Sequence, residues 1–310
     1  MRVRTMVLWA AALLMASAAA AGEAPEPTKK PASPLPIPLH TIEGTSGVFI
    51  TDTAYFANPP EGDAWLGKPS VAVSGVYLGR KALCATTVTQ NIAGRLELGY
   101  SYMHLRLGDW PSDVRRATGL HPRDSVGMHT LSARAMLVRE GDWGRKWMPA
   151  VTAGVRYKHN EHIWDVDDDL LGTCGNIGIR DNDGFEGTLT ASKMVTGVLP
   201  RPFILSAGLR CTDAAQIGLL GFTRDRQVVF EGNAVFFVTD RLLLAAEYRQ
   251  KPDKLDRCLN LVGAEHDWWT LAAAYIVNNH MTVSGGYGHF GNILNHEENA
   301  SWALQVKWEF

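Results

Sequence analysis

Residues 302–310 read WALQVKWEF. Every second residue is large and apolar (Trp302, Leu304, Val306, Trp308, Phe310), whereas Ala303, Gln305, Lys307 and Glu309 between them are small, polar or charged. Successive side chains of a strand point to opposite faces, so this period of two predicts a β-strand with one apolar and one polar face. A soluble β-sandwich would turn the apolar face onto its core. A barrel in a bilayer would turn it outward to lipid. The strand alone fits either, and the choice falls to the rest of the chain.

The N-terminus points to export. Arg2 and Arg4 precede the apolar run MVLWAAALLMA and the small residues SAAAAG, the order of a secretory signal peptide over residues 1–21. Residues 22–40 follow as a Pro-rich, charged stretch that cannot build a core and reads as an extended periplasmic linker. Beyond the signal no apolar run approaches the ~20 residues of a spanning helix. Charged residues make up 20% of the 310, below the usual share of about a quarter. A formal net charge of −2 argues against a nucleic-acid partner, whose phosphates demand a cationic surface.

From Ser70 the pattern is one repeated theme. Alternating segments at 70–79, 82–90, 95–107, 126–139, 147–158, 185–195, 203–211, 227–238, 241–251, 267–277, 281–289 and 300–310 predict twelve strands, each long enough to cross a bilayer at a tilt. With a periplasmic C-terminus, the external connections are 79–81, 108–125, 159–184, 212–226, 252–266 and 290–299. The periplasmic turns are 91–94, 140–146, 196–202, 239–240 and 278–280. Except at the first hairpin, long and short connections alternate, as in outer-membrane barrels and unlike sandwiches. Trp147, Phe236, Tyr275, Trp308 and Phe310 fall near the short-turn ends of strands, and Tyr77, Tyr102, Tyr157, Tyr248, Trp269, Tyr287 and Trp302 near the long-loop ends. Two such rings of aromatics suit the two membrane interfaces. The expected fold is all-β: a transmembrane antiparallel up-and-down barrel of about twelve strands over residues 70–310, both termini periplasmic.

The signal, the alternating segments and the terminal strand ending at Phe310 resemble bacterial outer-membrane β-barrels. That resemblance implies outer-membrane lipid as surroundings and the barrel-assembly machinery as a partner reading the C-terminal strand. HTIEGTSG (residues 40–47) with TDTAYFANP (residues 51–59) is similar to the opening of a bacterial family known only as a domain of unknown function. It brings no catalytic assignment.

With apolar residues toward lipid, their neighbours point inward: Arg156, Glu186, Arg210, Glu231, Glu247, Arg249, Lys307 and Glu309, with Glu97 and Arg134 in a less regular register. Arg or Lys on the lipid side near the midplane would cost about 2–4 kcal/mol, so the lumen is their place. Mixed charges suit a small channel or passive transporter for small polar solutes. They equally suit an internal salt-bridge network in a plugged barrel with a structural, adhesive or lipid-related role. Residues 41–69 are expected to cap the periplasmic mouth or plug the lumen, although VFITDTAYF also permits a strand pair.

Other chemistry is sparse. Asp165, Asp167, Asp168, Asp169, Asp181 and Asp183 crowd one external loop, and the first, second and fourth are candidate Ca²⁺ ligands, but no EF-hand spacing closes a site and a solvated loop is the simpler reading. Cys84, Cys174, Cys211 and Cys258 lie at or beyond the external strand ends and are disulfide candidates, Cys174 with Cys211 or Cys258 foremost; no C-x₂-C spacing supports Zn²⁺. Hydrolase and phosphate-loop signatures are absent. A lipase at the outer rim would need Ser101 or Ser132 beside His129 or His104, and nothing in the sequence pairs them. The expectation is a protein without enzymatic activity or cofactor.

Overall fold

A computed structural model describes residues 39–310. The signal peptide and most of the linker expected on sequence lie outside these residues. Among the described residues no helix is long and apolar enough to cross a membrane. The strands instead carry the architecture. In chain order they are β1 (Ser70–Leu78), β2 (Lys81–Ile92), β3 (Leu96–Arg106), β4 (Ser125–Val138), β5 (Ala150–Asn160), β6 (Asp183–Val195), β7 (Phe203–Ala214), β8 (Phe222–Phe237), β9 (Leu242–Arg249), β10 (Trp268–Ile276) and β11 (Met281–His289). A two-residue hairpin, β12 (Asn292–Ile293) and β13 (His296–Glu297), precedes β14 (Ser301–Glu309).

All strands but the hairpin pair form one closed antiparallel barrel. Each neighbours the next in sequence, and β14 closes the wall against β1, with Val73 opposite Val306 and Tyr77 opposite Trp302. Closure gives every strand two partners, so no row of N–H and C=O groups is left bare in hydrocarbon. The twelve segments read from alternation all appear, with ends shifted by a few residues. The register slips at Met136/Val138 and at Thr212/Ala214 are bulges near opposite ends of the wall.

Inside and outside are inverted relative to a soluble protein. Leu304 is 59% exposed and Leu271 54%, whereas Arg134, Arg156 and Lys307 are each 1% exposed. Leu131, Val155, Leu189, Leu209 and Leu244 join the apolar exterior. A closed barrel with aliphatic side chains outside and ionised ones inside requires hydrocarbon around it, which is the condition of the outer membrane. The aromatics of the long-loop rim pack in a row across neighbouring strands, with ring centroids 5.9 Å apart for Trp269 and Tyr287 and 5.0 Å for Tyr287 and Trp302.

The long connections sit at one end and fold over it. Helix α1 (Trp110–Thr118) and helix α2 (Ile163–Asp169) lie in loops that alternation read as irregular. Leu107, Trp110, Val114, Ile163 and Val166 pack with Ile179, Leu220, Leu255, Val262 and Leu294 into an apolar cluster continuous with Val126 and Met128 of the wall. The mouth is thereby capped. At this end the inner face departs from the polar lining expected on sequence: Val76, Leu78, Leu83, Leu105 and Trp268 are buried there. Their burial follows from the cap, which supplies the apolar surface they pack against.

Candidate functional site

Residues 39–57 run inside the wall. Nearly every one is buried, residues 39–54 without exception. Leu39 and His40, placed in the linker on sequence, already belong to this buried stretch. It forms no strand. Its backbone turns back on itself through isolated bridges, His40 with Ser46 and Gly47 with Asp52. The strand pairing that VFITDTAYF permitted is absent because these amides find side-chain acceptors instead.

Three contacts hold the segment. The first is an ion-pair hub at Glu43, whose carboxylate lies 2.6 Å from Lys158 Nζ, 3.1 Å from Arg210 and 2.9 Å from Arg249. Arg210 continues to Glu186 at 2.8 Å and Glu231 at 3.1 Å, and Glu186 also meets Lys158 at 2.9 Å. The second is Asp52, 2.5 Å from Arg156 and 3.9 Å from Arg134, with Thr45 donating a hydroxyl to it at 2.7 Å. Arg134 also pairs with Glu97 at 2.6 Å, and Ser46 donates to Glu97. The third is Glu247, whose carboxylate accepts the consecutive backbone N–H groups of Phe49, Ile50 and Thr51 at 3.1, 2.9 and 2.8 Å. Buried charges without partners are strongly destabilising, and Glu43, Asp52 and Glu247 each find theirs across the segment–wall boundary.

Glycines let the backbones approach. A Cβ at Gly99 on β3 would stand 2.0 Å from the Gly44 carbonyl oxygen, and one at Gly286 on β11 would stand 3.1 Å from the Phe49 ring. His40 completes the docking: Thr87 and Thr89 hydroxyls meet its ring nitrogens at 3.2 and 2.8 Å, while Gln305 accepts its N–H and donates to its carbonyl.

The structure places Arg156, Glu186, Arg210, Glu231, Glu247, Arg249 and Lys307 on the inner face, all at most 4% exposed. Glu309 lies at the short-turn end, 2.6 Å from Lys307. Glu97 and Arg134 are also inside, as their pairing requires. Sequence reading missed Lys158, two residues beyond Arg156 on the same face, and missed that Glu43 and Asp52 complete the network. The period of two could have found Lys158; the other two have partners more than a hundred residues away.

The remaining candidates are not assembled into a site. Asp165 and Asp169 both face Arg123, which donates its backbone N–H to Asp169 at 3.0 Å, and Asp167 accepts the Cys174 N–H at 2.7 Å. Among the described residues no group of His, Cys, Asp and Glu is placed to hold a metal ion. All four cysteines are free thiols. Cys84 and Cys211 sit on nearly opposite strands of the wall, and burial together with nearby Asp167 pushes the Cys174 thiol up to about 12. Ser101 and Ser132 point inward and donate to the Ile42 and Gly44 carbonyls, at 2.7 and 3.3 Å. His129 is bonded elsewhere, to Tyr100 and Glu161 at 2.8 and 3.0 Å, so no serine–histidine pair forms from these residues.

Residues 38–307 match the family model described as "Protein of unknown function (DUF3034)". The chain belongs to this family. The search of curated proteins finds no match. Among solved structures the chain is similar to the KdgM porin, at 7% identity and a TM-score of 0.48 over 78% of this chain and 99% of that one. It is also similar to the NanC porin (8%, 0.45, covering 78% and 98%) and to the outer membrane protein Omp33 of Acinetobacter baumannii (9%, 0.43, covering 79% and 99%). At these identities the likeness is one of barrel architecture.

Proposed function

We propose that this member of the DUF3034 family is an outer-membrane channel for small solutes whose lumen is closed by its own residues 39–57 acting as a plug. One observation carries the reading: the wall does not fill its own interior. Eight-stranded barrels are filled by side chains of the wall itself, and barrels of sixteen or more strands leave an aqueous channel. Here twelve strands enclose a space occupied by a segment that joins no β-ladder with the wall. Ion pairs, hydrogen bonds and packing hold it, all of which water and a solute can replace. Behind it stands a wall lined by Arg134, Arg156, Lys158, Arg210 and Arg249 with Glu97, Glu186, Glu231 and Glu247, a surface suited to hydrated polar solutes.

On this reading the short turns, the linker and both chain termini face the periplasm, and the capped long-loop end faces outward. The exposed strand face of Trp302, Leu304, Val306, Trp308 and Phe310 is the surface offered to lipid and to the assembly machinery. The reading involves no catalysis and no cofactor.

Conductance in planar bilayers tests it. The full chain is expected to be closed for most of the time, and a variant lacking residues 39–57 to give discrete, long-lived current steps. A deletion variant that folds, judged by heat-modifiable gel mobility, yet stays electrically silent would show that residues 39–57 are not what closes the barrel and would overturn the reading.

A further inference from the structure

The plug does more than fill the lumen: it balances the charge of the wall. Asp52 draws on Arg156 and Arg134, and Glu43 on Lys158, Arg210 and Arg249, so five wall cations face two plug carboxylates. To the same five the wall itself offers three carboxylates: Glu97 to Arg134, Glu186 to Lys158 and Arg210, and Glu231 to Arg210 and Arg249. Five positive charges against three leave the bare wall at +2, and Glu43 with Asp52 bring the balance to zero. The excess is shared evenly. Glu97 answers one of the two cations around Asp52, and Glu186 and Glu231 answer two of the three around Glu43. Lys307 and Glu309 cancel each other, and counting Glu247, which accepts plug amides, still leaves the bare wall at +1.

Each plug carboxylate thus occupies a place that suits a carboxylate, and Asp52, tethered to its backbone, uses that place incompletely. A guanidinium offers five N–H donors in a planar fork that matches both oxygens of a carboxylate. Arg156 reaches Asp52 and the Thr45 hydroxyl through Nη2 alone. Its Nε and Nη1 have no hydrogen-bond partner among the described residues, although the side chain is 1% exposed. Buried donors are almost always satisfied. The unspent edge of Arg156 is one that a freely orienting carboxylate can take in bidentate fashion and Asp52 does not.

We propose that these two groups of cations form a binding site for small solutes bearing carboxylates, and that such a solute releases the plug by taking the places of Asp52 and Glu43. The proposal rests on the channel reading and names its solute class and its opening stimulus. A neutral solute does not serve, because departure of the plug leaves one charge unmatched in each group, and an unpaired buried charge is strongly destabilising. A cationic solute adds to the excess. The coupling is one of mass action: a ligand that binds only the released state multiplies the population of that state by 1 + [L]/Kd, about tenfold at ten times Kd.

The experiment is amide hydrogen exchange of the full chain in detergent micelles at fixed pH, with disodium glutarate as the probe. Its neutral counterpart glutaramide, and sodium chloride at matched ionic strength, are the comparisons. Exchange in residues 39–57 is expected to quicken as glutarate is raised, about tenfold at ten times Kd, while the wall strands keep their rates and neither comparison has an effect. Arg156→Gln removes the fork and one excess charge, and the ratio of rates with and without glutarate is expected to fall several-fold. No response to glutarate, an equal response to glutaramide, or a ratio unchanged in Arg156→Gln would overturn the proposal. Should Arg156→Gln fail to fold, the comparison of glutarate with glutaramide in the unaltered protein decides alone. A deletion variant that conducts, in a protein whose plug ignores glutarate, overturns this proposal and spares the channel. Release by glutarate alongside a silent deletion variant supports the site and overturns the channel.

Discussion

At the scale of single residues, the plug rests on few atoms. Glu43 answers Lys158, Arg210 and Arg249 together, so its loss leaves cations buried around a void. Removing one partner of a buried ion pair typically costs about 3–5 kcal/mol. Glu43→Ala is therefore expected to speed hydrogen exchange of the amides in residues 39–57 by about a hundredfold or more, each 1.4 kcal/mol being a factor of ten. The wall strands should exchange as before, and an unchanged rate in the plug would show that Glu43 does not hold it. Glycine substitutions give a graded comparison. Gly99→Ala drives a methyl group into the Gly44 carbonyl, and backbone cannot step aside cheaply, whereas Gly286→Ala meets the edge of the Phe49 ring and, at ordinary contact distance, the Leu271 carbonyl. Overpacking costs about 1–3 kcal/mol, and the first substitution should lie at the upper end and loosen the plug by the same exchange measurement, the second barely. Equal effects would contradict the seating described here.

At the scale of elements, the strands were legible because membrane strands repeat one rule twelve times. Each has an apolar outer face fixed by lipid and a small, polar or charged inner face through most of its length, so a period of two survives even where Ala favours helix, as in Leu271–Tyr275. The helices were less legible. In α1 the signals were present, with Pro111 in the first turn, Trp110 and Val114 one turn apart, and Gly119 closing the helix at φ +80°, but nine residues give little periodicity to weigh. In α2 the run of aspartates reads as solvated loop, and only Ile163 and Val166 betray the buried side. Between cap elements, Asp113 of α1 accepts the Asn295 amide at 2.8 Å and His296 at 3.3 Å, clasping the β12–β13 hairpin. The Asn295 hydrogen bond, with His296 and Arg116 adding to it, holds the Asp113 carboxyl below its usual range. A depressed carboxyl contributes stability that is present above its ordinary pKa of about 3.9 and is lost as pH falls through the lower folded value. Protection factors at residues 292–297, taken against the intrinsic exchange rate at each pH, are thus expected to fall on acidification below about pH 4, and Asp113→Asn should remove that fall. A hairpin equally protected at acid pH would show that this clasp does not matter.

At the scale of the whole molecule, the wall charges could be read from alternation while their use could not. Arg156, Arg210 and Arg249 face inward for a local reason, the lipid on the other side. What they hold is non-local: Glu43 and Asp52 sit in a short Gly- and Thr-rich stretch whose local pattern names no partner, and their partners lie on β5, β7 and β9. Likewise the apolar inner face beneath the cap could not be foreseen, because inward Leu78, Leu83 and Trp268 break the rule that made the rest readable. If residues 39–57 close a path that the wall would otherwise leave open, tying them to the wall must lock the barrel shut. The Ala54 N–H bonds Ser192 Oγ at 2.8 Å, so the two positions are near neighbours across the boundary. Ala54→Cys with Ser192→Cys, in a chain whose four native cysteines are replaced by alanine, should form a disulfide under oxidising conditions. Single-channel recording is then expected to show no openings when oxidised and brief openings, like those of the unaltered chain, after a reductant is added. Openings that persist in the fully oxidised protein, with the disulfide verified by mass, would contradict the account.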